Sequence, residues 1–145
     1  MTWGIVHMWD PRFVNLWDYL VTEAQIPMSW IYPMHGGENG NVNEPWSTYI
    51  NCVGEDLPGP FVVCTPQDGH NVQGQHSLYT FQHPEHCYYV FGSDRHNMAL
   101  DDDALKLHDR QDITTVYIPD IGKSLYSVEA ASMVIYDRRL KQWQS

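Results

Sequence analysis

A chain of 145 residues, 43% apolar and 13% aromatic, has material for one hydrophobic core and not for two independent ones. Eight Lys and Arg stand against eighteen Asp and Glu, and the formal charge of −10 excludes a protein that simply coats a polyanion with positive charge. No apolar run approaches the roughly 20 residues that span a bilayer, which excludes a membrane-spanning helix from the expected elements.

The charge is uneven. Residues 1–94 hold one basic side chain, Arg12, against ten acidic ones, and residues 95–145 hold seven against eight. A nucleic-acid face therefore has to lie in the last third or be assembled between subunits. Cys52, Cys64 and Cys87 form an odd set without a CxxC pair, the pattern of reduced intracellular thiols. The first residues lack a basic segment followed by an apolar one, so no leader peptide is expected. The reading is one cytoplasmic domain over residues 1–145 with no membrane partner.

In chain order, Gly4 to Trp9 is a short apolar run closed by Asp10-Pro11 and reads as a buried strand. Phe13, Leu16, Trp17, Leu20, Val21 and Ala24 recur at three and four residues, the spacing of one helix face. Pro27 opens a second strand through Tyr32, giving a β-α-β start and predicting a parallel sheet covered by helices. Residues 33–43 read as a loop, 45–52 as a short helix, 60–65 as a third strand and 67–75 as a second loop. Cys87 to Phe91 is a fourth strand, 101–108 a short helix, and Thr114 to Ile118 a fifth strand. The last helix runs from about Ser124 to Trp143, with Ser124 as N-cap and Arg138, Arg139 and Lys141 near its negative end.

Ligands of α/β sheets bind beyond the carboxyl ends of strands, so two strand ends are informative. The first is Phe91-Gly92-Ser93-Asp94-Arg95-His96-Asn97, where Gly92 permits close backbone approach. The second is Ile118-Pro119-Asp120-Ile121-Gly122-Lys123-Ser124-Leu125, which feeds a helix start with its unsatisfied N–H groups. Taken alone, each also fits an ordinary tight turn or strand-to-helix connection.

Three blocks resemble the SPOUT (α/β-knot) RNA methyltransferases, specifically the TrmH-like (SpoU) branch that methylates ribose 2′-hydroxyls. They are Asp10-Pro11 with Asn15; His83-Pro84-Glu85 through Tyr89-Val90-Phe91-Gly92-Ser93-Asp94; and Val116-Tyr117-Ile118-Pro119 with Ser124-Leu125, Ala130-Ala131 and Ile135-Tyr136-Asp137-Arg138. The resemblance covers most of the chain and is weakest between Pro33 and Gln75.

It implies an α/β fold in which a parallel sheet has helices on both faces and a deep trefoil knot lies at the C-terminal end. It also implies S-adenosylmethionine as cofactor, held by Phe91, Gly92, Ile118, Pro119, Ser124 and Leu125, with Asn15, Asp94 and Arg95 as catalytic candidates. The implied partners are a second copy in a homodimer and a structured RNA, tRNA or rRNA, with no metal.

The chain departs from the pattern in several places. The family's Arg falls at Val21, its Glu at Asp94, its Gly at Asn97, and its Asn and Ser at Tyr126 and Val128. A neutral hydroxyl is a poor nucleophile and needs a group to take or weaken its proton, which Val21 cannot be. Arg12 or Arg95 would have to reach that place from another segment, with Asp94 or a neighbouring His as proton acceptor. The departures keep two further readings open: a catalytically inactive relative that binds a cofactor or partner, and a methyltransferase fold with a non-RNA substrate. His83, Glu85, His86 and Cys87 crowd together without the spacing of a zinc site, and surface or interface histidine is the preferred reading. The cluster Arg138, Arg139 and Lys141 reads as a solvated, dipole-matched helix end before it reads as a phosphate contact.

Overall fold

Apolar runs with β-branched and aromatic residues become strands here because each finds a parallel neighbour, and the periodic stretches become the helices that cover them. The computed structural model describes residues 3–8, 12–32, 48–49, 59–64, 75–91, 111–119 and 125–144. In chain order the elements are β1 (Trp3–Met8), α1 (Val14–Glu23), β2 (Met28–Tyr32), β3 (Thr48–Tyr49), β4 (Phe61–Cys64), β5 (Gln75–Ser77), β6 (Cys87–Phe91), β7 (Ile113–Tyr117) and α2 (Ser127–Gln144). The sheet order is β3-β2-β1-β6-β4-β7-β5, and every neighbouring pair is parallel. The expected α/β class and parallel sheet are therefore observed.

Successive strand residues face opposite sides of the sheet. Trp3, Ile5, Val62, Cys87, Tyr89, Phe91 and Val116 form one core with Trp17 of α1 and Val128, Ala131, Val134 and Ile135 of α2. His7 lies on the same side, stacked on Trp17 with ring centroids 3.9 Å apart. Val6, Phe61, Val63 and Val90 point to the other side and are also buried, as a parallel sheet requires. Among the described residues both helices pack on the first side.

β1 and β2 approach closely at Gly4, which pairs with Met28. A Cβ on Gly4 would stand 2.5 Å from the Met28 carbonyl oxygen, so only glycine fits. α1 ends in a Schellman arrangement: Gln25 N–H donates to Thr22 O and Ile26 N–H to Val21 O, with Gln25 at φ 53° where glycine is usual. Ile26 is buried beside the half-buried Val21 and closes the motif.

Several expectations change. Thr48–Tyr49 pairs with β2 as a strand, not as part of a helix over 45–52, because a parallel edge was open to two β-favouring residues. Gln75 starts β5 instead of ending a loop, through its ladder with β7. α2 begins at Ser127, three residues after the expected cap; the Glu129 carboxylate accepts from Tyr126 N–H at 2.9 Å, the backward half of a capping box. Leu16 is 53% exposed and leaves the buried face of α1 to Phe13, Trp17, Leu20, Val21 and Ala24. The loop at 33–43 and the helix at 101–108 lie outside the described residues, as does Ser124.

Candidate functional site

In a parallel sheet all strands end on one edge. The register sets Phe91, Cys64 and Val116 side by side across β6, β4 and β7, so the chain leaves these three strands in one row. Helix α1 also begins at this edge, because it connects the end of β1 to the start of the parallel strand β2. Helix α2 joins it there: the Phe13 and Tyr126 rings lie 4.7 Å apart, and the Arg12 guanidinium sits 5.0 Å over the Phe13 ring.

The carboxyl edge thus gathers Arg12, Asn15, Phe91, Ile118, Pro119 and Leu125. Asn15 is exposed on the first turn of α1. Ile118, Pro119 and Leu125 are half-buried and offer apolar surface with one side open. Phe91 is only 1% exposed, so its side chain belongs to the core and its backbone alone is left to meet a ligand. Gly92, Asp94, Arg95 and Ser124 lie outside the described residues. Val21 packs against the core and Val128 is buried within it, so these two departures serve packing.

A second cluster occupies the opposite, amino-terminal side of the sheet. The link from β5 to β6 is only nine residues, 78–86, yet it has to return across the sheet between parallel strands without a helix of its own. Its carbonyls consequently need outside donors, and α2 supplies them. Lys141 Nζ donates to Leu78 O at 2.6 Å and to Phe81 O at 2.8 Å. Arg138, 0% exposed, donates through Nη1 to Pro84 O at 2.7 Å and through Nη2 to Glu85 O at 3.2 Å, with its guanidinium 4.6 Å over the Trp3 ring. Arg139 Nη2 donates to Ala24 O and Gln25 O at the end of α1, where carbonyls are short of partners. Arg138 is therefore not part of a solvated helix end, whereas Arg139 remains exposed and Lys141 half-buried, and all three turn donors onto backbone carbonyls.

His83 sits inside this cluster. Its Nε2 is 2.7 Å from Asp137 Oδ2, and its Nδ1 is 2.7 Å from the Tyr89 hydroxyl, which also accepts from Arg138 Nη1 at 2.9 Å. Asp137 additionally receives Lys141 Nζ at 2.9 Å. An ionised carboxylate only accepts, so Nε2 carries the proton, and Nδ1 accepts from the Tyr89 O–H. Burial pushes the imidazole below its ordinary value; the Asp137 hydrogen bond and charge oppose this, and Lys141 and Arg138 add to it. Burial likewise pushes the Tyr89 hydroxyl up.

Hydroxyl, imidazole and carboxylate in series have the connectivity of a nucleophile–base–orienter set. Tyr89 is 0% exposed, however, so no substrate reaches it and the series acts as a structural clasp. Burial also pushes the Cys64 and Cys87 thiols up, which keeps them protonated and poorly nucleophilic. Among the described residues no three His, Cys, Asp or Glu side chains gather as a metal site.

The motif blocks contain His83, Tyr89, Asp137 and Arg138 but do not indicate that these side chains meet. The available signal was the i,i+4 pair Asp137 and Lys141 flanking Arg138. No protein-family model matches the chain, and no curated protein is similar to it in sequence.

Proposed function

We propose that the chain is an S-adenosylmethionine-binding protein of the TrmH-like SPOUT type that methylates ribose 2′-hydroxyls of tRNA or rRNA. One observation carries the reading: three strand ends in one row, with the starts of both helices brought beside them by the Phe13–Tyr126 contact, form the crevice position at which α/β sheets take ligands. The cofactor's sulfonium supplies the methyl group. Ile118, Pro119 and Leu125 fit an adenosine through their half-open apolar surface, with backbone groups at Phe91 and Gly92 and the Ser124 hydroxyl completing the set. Asn15, Asp94 and Arg95 are the proposed catalytic groups, and Arg12 stands at the same edge as Asn15, where it takes the charge that Val21 lacks.

The fold proposed with this function has one domain over residues 1–145, helices on both sheet faces and a C-terminal trefoil knot. Burial of Val6, Phe61, Val63 and Val90 on the face away from α1 and α2 supports cover there. The proposed partner is a second copy. Its seat is the side of α1 and α2 that exposes Leu16, Tyr19, Met133 and Tyr136 beside an apolar groove of about 300 Å³ between the helices. Among the described residues no helix is long and apolar enough to cross a membrane, and a cytoplasmic location is part of the proposal.

Isothermal titration with S-adenosylmethionine and with its demethylated product tests the cofactor reading: saturable binding is expected, and no heat with either ligand overturns it. Transfer of labelled methyl into bulk tRNA and rRNA tests the activity. Binding without transfer selects the second reading, a catalytically silent cofactor- or partner-binding module, which the packed position of Val21 favours.

A further inference from the structure

The clasp between residues 78–86 and α2 has one component that changes charge near neutral pH. We propose that His83, seated between the Tyr89 hydroxyl and the Asp137 carboxylate, is a pH-operated latch that holds the β5–β6 crossover on α2 when neutral and releases it when protonated.

The geometry dictates the direction. With His83 neutral, each proton has one place to go: Arg138 Nη1–H to Tyr89 O, Tyr89 O–H to Nδ1, and Nε2–H to Asp137. A second proton on the ring, at Nδ1, reverses the middle bond. Tyr89 O then faces two donors, Nδ1–H and Nη1–H, and its own hydrogen is turned out of the chain of bonds while the ring stays buried.

The charges pull both ways: the Asp137 carboxylate favours the protonated ring, and Lys141 and Arg138 oppose it. The groups facing His83 are Tyr89 from β6 and Asp137, Arg138 and Lys141 from α2, while the Cys87 thiol is turned onto Pro84 O, Glu85 and His86 of the crossover lie exposed beside each other and the His76 ring lies by Phe81. One carboxylate then faces three cations in place of two. The lowered proton affinity of the folded imidazole comes first from its burial, and Lys141 and Arg138 add to it.

The release is local, because the same two cations that repel a protonated His83 are those that hold Leu78, Phe81, Pro84 and Glu85. The crossover leads straight into β6, so its release loosens the strand whose far end lies on the carboxyl edge.

The sign follows from linkage. A His whose folded value is depressed contributes stability fully above its unfolded value of 6.5, and that stability is lost as pH falls from 6.5 toward the folded value. One pH unit below 6.5 raises the opening constant by at most about tenfold, the limit reached when the closed form stays neutral and the open form titrates normally.

Hydrogen exchange of the wild-type protein, read peptide by peptide at pH 7.5 and 5.5 and corrected for intrinsic chemical rates, tests this. The expected result is a loss of protection, by up to about tenfold, in the peptide covering 78–86, with the α1 peptide unchanged. Equal protection at both pH values, or an equal loss in α1, overturns the latch. Long-range proton–nitrogen NMR of the imidazole is a second measurement that needs no variant: the Nε2–H tautomer at pH 7.5 is expected, and the Nδ1–H tautomer overturns the assigned proton order. His83→Gln removes the titrating group, and the pH dependence of the 78–86 peptide should vanish with it; a dependence that persists in a folded variant also overturns the proposal.

Discussion

Replacing Arg138 by Met separates a structural arginine from a solvated one. The side chain is fully buried and makes three hydrogen bonds, at 2.7 Å to Pro84 O, 2.9 Å to Tyr89 O and 3.2 Å to Glu85 O. Hydrogen bonds from a charged donor contribute about 1.5–3 kcal/mol each, and removing the donor leaves buried acceptors without partners. Methionine keeps most of the stem packing and removes the cost of burying the charge, so the balance is about 3 kcal/mol of lost stability. That is a large share of the about 5–15 kcal/mol typical of a domain. At a urea slope of about 1.5 kcal/mol per molar, the unfolding midpoint followed by tryptophan fluorescence falls by about 2 M. Arg138→Lys keeps the charge but loses the planar fork, and should fall in between. A Met variant within about 0.5 kcal/mol of wild type would mean that Arg138 behaves as a surface residue and that its three bonds add nothing to stability.

Three other outcomes are expected. Gly4→Ala drives a methyl into the Met28 backbone and should cost about 1–3 kcal/mol; an unchanged thermal midpoint would show that β1 and β2 can part without penalty. Gln25→Gly relieves the left-handed position that ends α1 and should raise stability by up to about 1 kcal/mol in urea titration, whereas a loss of that size would show that the Gln side chain matters more than its backbone angle. Tyr136→Asp places a charge on a residue 68% exposed beside the groove and should convert a dimer to monomer in sedimentation velocity without altering the circular dichroism; a dimer unaffected by it locates the contact elsewhere.

The central strands β1, β4, β6 and β7 and both helices were legible because their residues carry burial in their own pattern. β3 and β5 were not, since Thr48–Tyr49 and Gln75–Ser77 owe their strand form to an edge already built by β2 and β7. Short polar edge strands carry little apolar signal. The motif at Ile118, Pro119 and Leu125 was readable as strand end and helix start, and the fold puts it on the carboxyl edge with Asn15. Arg138 was read in the wrong environment for a physical reason. A guanidinium near a helix end is normally solvated, and it is buried here against a crossover without a helix, whose Pro84 and Glu85 carbonyls accept its N–H groups.

That crossover also orders assembly in time. Residues 78–86 emerge during synthesis about fifty positions before the donors at 138 and 141 that hold them, as the separations of 54 and 53 for the Arg138 bonds to Pro84 and Glu85 and of 63 for the Lys141 bond to Leu78 show. The middle strand β6 can pair with β1 and β4 early, but the segment that delivers it stays under-satisfied until α2 arrives. Closure of the sheet's core is thereby tied to completion of the last helix, and contacts of such long sequence separation slow the final folding step.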